Sequence, residues 1–127
     1  MSRIFLFLGA IAAFLAVALG AFGAHLLHSR LPDDLYTVYQ TGVHYHAIHA
    51  LGLLVIGLLA RDDASRWMTA AGMLMATGLV LFSGSLYALA LSGARGLGIV
   101  TPFGGLALLA AWFSLAVAVG RQPRGDD

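Results

Sequence analysis

The chain has 127 residues, 60% of them hydrophobic and 10% charged, with a net charge of +1 and a mean hydropathy of +0.88. A soluble domain carries about 25% charged residues, so this chain cannot coat a water-facing surface and lipid must be its solvent. The near-neutral charge argues against nucleic acid as a partner, and the lack of cysteine excludes disulfides, thiolate metal sites and thiol nucleophiles.

Four apolar stretches follow one another: Ile4–Gly23, Val43–Ala60, Trp67–Leu91 and Pro102–Val119. At about 20 residues per crossing of a bilayer core, they use most of the chain. The expectation is an all-α membrane protein, a single bundle of four transmembrane helices at residues 4–23, 32–60, 67–91 and 102–119. The first run is longer than the roughly 7–15 residues of a signal-peptide core. It is therefore expected as a retained helix, although Arg3 and Ala21-Phe22-Gly23 imitate a cleavage signal. On it, Gly9, Ala13, Ala16 and Gly20 fall in one stripe, the kind of small-residue face along which membrane helices approach closely.

Helix 2 has a start signal well before its apolar run. Pro32 suits the first turn, where its missing N–H costs nothing, and Asp33 and Asp34 set negative charge against the positive end of the dipole. A helix from Pro32 to Ala60 runs about 43 Å, so it should extend beyond the outer interface, with Tyr36 and Tyr39 at headgroup level. Gly42, His46, His49, Leu53 and Gly57 share one face of it. Helix 3 carries a comparable stripe in Gly72, Ala76, Ser83 and Tyr87. Helix 4 opens with Thr101-Pro102-Phe103-Gly104-Gly105, in which Thr101 can cap, Pro102 suits the first turn, and Gly104 and Gly105 admit another backbone. Trp112 falls near the bilayer centre, where its indole N–H needs a carbonyl or hydroxyl acceptor.

Arginines set the orientation. The N-terminus, the second loop and the tail hold Arg3, Arg61, Arg66, Arg121 and Arg124, against Arg30 and Arg95 on the other side. The positive-inside rule then places both termini in the cytoplasm. In that frame the five histidines, Ser83, Ser85, Tyr87 and Thr101 all gather in the outer half. We expect His25, His49, Ser83 and Tyr87 to converge there, with Thr101 near the rim and His46 and Tyr45 as secondary candidates. For His49 a hydrogen-bonded packing role is favoured over a ligand role. No nucleophile–base pair, acidic pair or phosphate loop can be assembled, so no catalytic residue, metal or cofactor is expected.

Four motifs in register carry a resemblance: Gly20-Ala-Phe-Gly-Ala-His25, Tyr45-x-x-x-His49-Ala50, Phe82-Ser-Gly-Ser-Leu-Tyr87 and Thr101-Pro-x-Gly-Gly105. Together they resemble the YgdD-like family of small integral membrane proteins (domain of unknown function 423). The resemblance covers nearly the whole chain and implies four membrane helices and an inner-membrane address, but no reaction. His25 and His49 match its pattern, whereas His44 and His46 fall where the pattern is not histidine. The leading expectation is a non-enzymatic inner-membrane protein that assembles with itself or serves as an accessory subunit of other membrane proteins. The alternatives are a small-ligand, lipid or proton binding protein or conduit using the outer polar cluster, and a haem or metal protein using His25 and His49.

Overall fold

A computed structural model describes residues 1–123. Four long helices, α1 (Ser2–Phe22), α2 (Asp33–Leu59), α3 (Arg66–Ser92) and α4 (Thr101–Gly120), account for nearly all of it. Each is long and apolar enough to cross a membrane. Arg124, one of the arginines counted above, lies outside the described residues.

Helix limits follow local chemistry. Ser65 caps α3, its Oγ accepting from Met68 N at 3.2 Å, and Gly93 ends it in the left-handed region at φ 72°. Only a residue without a Cβ adopts that geometry at no steric cost. Pro32 stands one place earlier than a first-turn proline, as the residue preceding α2, whose first turn holds Asp33 and Asp34. At 27 residues, α2 is about 40 Å long, longer than a bilayer core of about 30 Å.

Two expected boundaries shift. The first helix does not stop at Gly23 but continues as a π-turn, Gly23–Leu27, closed by His28 N donating to Gly23 O at 3.0 Å. Tyr39 packs against this junction: its ring lies where a Cβ on residue 23 would sit and its hydroxyl donates to Leu19 O at 2.5 Å. Thr101 does not cap α4. A 3₁₀ turn, Arg95–Ile99, leads into the helix, Val100 occupies the cap position, and the Thr101 hydroxyl is turned to Ser85 instead.

The helices run antiparallel, each packed on the next in chain order. Gly9 of α1 meets Leu54 of α2 and Gly57 of α2 meets Leu6; Gly78 of α3 meets Leu108 of α4. The α2–α3 pair is central, and α1 and α4 flank it from different sides. From the α1 side Phe5 inserts its ring against Gly72. From the α4 side Gly104 lies directly on the backbone of Phe82. The core of Phe5, Leu53, Ile56, Met68, Met75 and Ala111 fills the end of the molecule that holds the α2–α3 loop.

The small-residue stripes of the sequence are thereby engaged within the chain. Gly9 and Ala16 are buried and Ala13 and Gly20 half-buried along α2, while Gly72 seats Phe5 with Ala76 half-buried one turn on. Gly105, beside Gly104, only grazes the Phe82 ring, 3.8 Å from a would-be Cβ.

Candidate functional site

The polar side chains form separate hydrogen-bonded groups rather than one cluster. In the α2–α3 seam, Ser83 Oγ donates to Gly42 O at 2.8 Å, and the Tyr87 hydroxyl meets His46 Nδ1 at 2.8 Å. Ser83 and Tyr87 are four apart on α3 and so are neighbours on one face. Gly42 makes the approach feasible, because a Cβ there would fall 2.9 Å from the Tyr87 ring. Ser83 is 1% exposed and His46 4%.

His49 belongs to a different group. Its Nδ1 lies 2.6 Å from Tyr45 O, and its Nε2 lies 3.0 Å from Trp112 Nε1. A carbonyl can only accept and an indole N–H can only donate. The ring is therefore neutral, with its hydrogen on Nδ1 and its Nε2 lone pair held by Trp112. The Tyr45 ring stacks on it, with centroids 5.8 Å apart and planes 10° from parallel. To bind a metal through Nε2, His49 would first have to release Trp112. The acceptor of Trp112 is thus an imidazole, not the carbonyl or hydroxyl the sequence reading anticipated.

A third group lies at the start of α4. Ser85 Oγ donates to Phe82 O at 2.9 Å and so receives the Thr101 hydroxyl hydrogen at 2.6 Å. His25, within the π-turn, is exposed and has no hydrogen-bond partner among the described residues. At the same end Arg95 and Asp34 form an exposed ion pair at 2.7 Å.

The expected convergence of His25, His49, Ser83 and Tyr87, with Thr101 at its rim, is therefore divided. Ser83 and Tyr87 do come together, but with Gly42 and His46. His49 turns away to Tyr45 and Trp112, Thr101 joins Ser85, and His25 stands apart. The physical reason is the helical pitch. Residues three apart differ by about 60° around the axis, enough to aim His46 at α1 and α3 but His49 at α4. Sequence reasoning ranked His46 second, although its reach to Tyr87 makes it the α2 partner in the seam.

Two clefts result. One of about 780 Å³ opens between α2 and α4 and is lined by Tyr45, His49, Phe82, Pro102, Leu108 and Trp112, among others. The other, of about 200 Å³, lies between α1 and α3, with His46 and Leu53 of α2 in its lining. Among the described residues no three His, Asp or Glu side chains gather as metal ligands would. The Asp63 carboxyl, in the α2–α3 loop, is held below the usual carboxylate range by hydrogen bonds from Ser65, with a lesser one from Gln122.

Residues 19–105 match the family described as protein of unknown function (DUF423). The chain is 50% identical over 117 residues to the UPF0382 membrane protein YwdK of Bacillus subtilis, covering 91% of this chain and 95% of that one. It is 42% identical over 123 residues to the UPF0382 inner membrane protein YgdD of Escherichia coli, covering 97% and 94%. A Staphylococcus haemolyticus UPF0382 membrane protein is 41% identical over 116 residues, covering 91% and 94%. No solved structure matches.

Proposed function

The chain belongs to this DUF423 family of membrane proteins, and on that premise we propose that it is a non-enzymatic binding protein for a lipid or small apolar molecule. The α2/α4 cleft is its seat. The observation that carries this reading is the way the polar groups of that cleft are disposed. His49 and Trp112 are tied to each other and to the Tyr45 carbonyl, with the Tyr45 ring stacked on His49, so they shape an aromatic wall in which the imidazole is not free for chemistry. A cleft of about 780 Å³ lies within the range of roughly 300–1,000 Å³ of small-molecule sites. The protein sits in the inner membrane, the address in the name of the Escherichia coli relative. Both termini face the cytoplasm, because Arg3, Arg61, Arg66 and Arg121 lie at the end opposite Arg30 and Arg95.

The test is native mass spectrometry after extensive detergent exchange. The wild type should retain a bound lipid or small molecule in defined stoichiometry. The Gly105→Trp variant, which projects an indole into the cleft, should lose it with its helical content unchanged. A bare wild type, or equal retention by both, overturns the reading. A reporter enzyme fused at the C-terminus and active only in the cytoplasm tests the orientation.

A second reading, assembly with itself or with other membrane proteins, is favoured by the outer face of α3. There Thr77, Gly84 and Ala88 are exposed, and a Cβ on Gly84 would meet nothing within 4 Å. Gly84 and Ala88 are four apart and Thr77 seven before Gly84, a spacing that sets small residues on one lipid-facing surface and permits close helix–helix approach. Crosslinking in native membranes should give a discrete higher species that Gly84→Leu abolishes; a single monomeric band overturns it.

A further inference from the structure

The cleft between α1 and α3 differs from the α2/α4 cleft in one respect. Its polar group lacks a partner. His46 is 4% exposed, and its Nε2 makes no hydrogen bond, the only such buried side-chain nitrogen or oxygen among the described residues. The backbone of Ala12, across the cleft on α1, approaches the ring without forming one. The hydrogen on this ring can be assigned by elimination. If Nδ1 donated to Tyr87, the phenol hydrogen would have no acceptor, and both it and the Nε2 lone pair would stand unpaired. If Tyr87 donates to Nδ1 across their 2.8 Å contact, a single group is left over, the Nε2 hydrogen. A buried donor without an acceptor is costly in an apolar medium, since no water replaces the missing bond.

The remaining lining of the cleft is apolar, including Leu8, Ile11 and Leu15 of α1, Leu53 of α2, and Leu79 and Val80 of α3. Depth narrows the acceptor. Ile11 and Leu15 lie near the midpoint of the first span and Leu79 at that of α3, so the cleft lies near the middle of the bilayer, and His46 enters it from the outer side. Phospholipid ester carbonyls lie at the edge of a hydrocarbon core about 30 Å thick, too far away to serve. Within the chain only the Ala12 backbone approaches the ring, short of a hydrogen bond, so an acceptor that completes it would come from a molecule dissolved among the acyl chains. A cleft of about 200 Å³ holds a single ring system; an engineered cavity of about 150 Å³ binds benzene. The cleft borders the lipid-facing surface, where its lining residue Val80 is exposed.

We propose that the α1/α3 cleft binds a membrane-dissolved cyclic carbonyl compound, a quinone or ring ketone, whose oxygen accepts the Nε2 hydrogen of His46. This site is independent of the α2/α4 cleft, and its test reads a histidine nitrogen rather than retained lipid mass, so the two can fail separately.

The full-length protein, labelled with ¹⁵N-histidine, is placed in phosphatidylcholine bilayers and titrated with 2-methyl-1,4-naphthoquinone or with 2-methylnaphthalene, the same ring frame without carbonyls. The His46 Nε2 resonance should start as a protonated, weakly bonded nitrogen and move saturably with the quinone but not with the hydrocarbon. Ala76→Phe, which fills the cleft from α3 and leaves the Tyr87 bond to His46 Nδ1 in place, should abolish the shift. In the His46→Phe protein a thermal-stability gain from the quinone, present in wild type, should disappear. A resonance already fully hydrogen-bonded in lipid alone, an equal response to both compounds, or a response surviving in Ala76→Phe overturns the proposal. If His46→Phe fails to fold, the Ala76→Phe comparison decides alone.

Discussion

On the α1 side of the central pair the closest contact is a side chain against a glycine, Phe5 on Gly72; on the α4 side it is backbone against backbone, Gly104 on Phe82. The histidines differ in the same sense. His49, facing α4, is bonded at both nitrogens, whereas His46, facing α1, is bonded at one. The α4 side is thus locked by short, saturated contacts, whereas α1, though close to the α2 backbone at Gly9 and Gly57, meets α3 through an apolar knob that can move. A fixed wall suits shaping a cleft. A yielding one suits admitting something into it.

The largest test of this contrast substitutes the paired glycines. Gly104→Leu would drive a side chain into the Phe82 backbone, which cannot yield, and should cost about 3 kcal/mol or more. Gly72→Leu meets the Phe5 ring, which can rotate away, and should cost about 1–3 kcal/mol. Unfolding in mixed detergent micelles measures both, and equal losses would erase the distinction. Next come the histidines. His49→Phe strands the Trp112 N–H and should cost about 1–2 kcal/mol. The double change His46→Phe with Tyr87→Phe removes both partners at once and should stay within about 0.5 kcal/mol of wild type. A double variant as damaged as His49→Phe would show that the His46–Tyr87 pair holds the seam together.

The smallest effect belongs to the end of the molecule that both sides share. The Asp63 carboxyl, lowered by Ser65, favours the folded loop above its unfolded value of 3.8. That contribution is lost as pH falls through the lower folded value. Asp63→Asn should remove this pH dependence and leave both histidine groups unchanged in a ¹⁵N spectrum.

Much of the fold was legible because lipid imposes a length and a polarity on each span. The Pro32-Asp33-Asp34 start of α2, the pause at Arg61–Ser65 and the stop at Gly93 are all local signals. The π-turn was not legible, since it forms at a junction where Tyr39 reaches back to Leu19 from another helix. The site was legible only by residue type. Polar side chains were rightly sought in one half of the bundle, but their pairing depends on interhelical register, which no single sequence displays. Trp112 advertised a need for an acceptor, yet nothing in its neighbourhood named His49. The family pattern, in which position 46 is not histidine, gave no hint that this ring holds the one buried side-chain nitrogen left unpaired among the described residues.

The chain-order packing of the helices also bears on how the molecule is put together. Each hairpin, α1–α2 and α3–α4, already contains its own tight glycine contacts before the two meet. A ribosome releasing residues up to Asp62 would therefore deliver a finished half to the bilayer, and the second half would complete the seam afterwards. Severing the gene between Asp62 and Asp63 and supplying the two pieces from separate messages should yield an intact seam, because the Ser83–Gly42 and Tyr87–His46 bonds and the apolar core beside them can form between chains as well as within one.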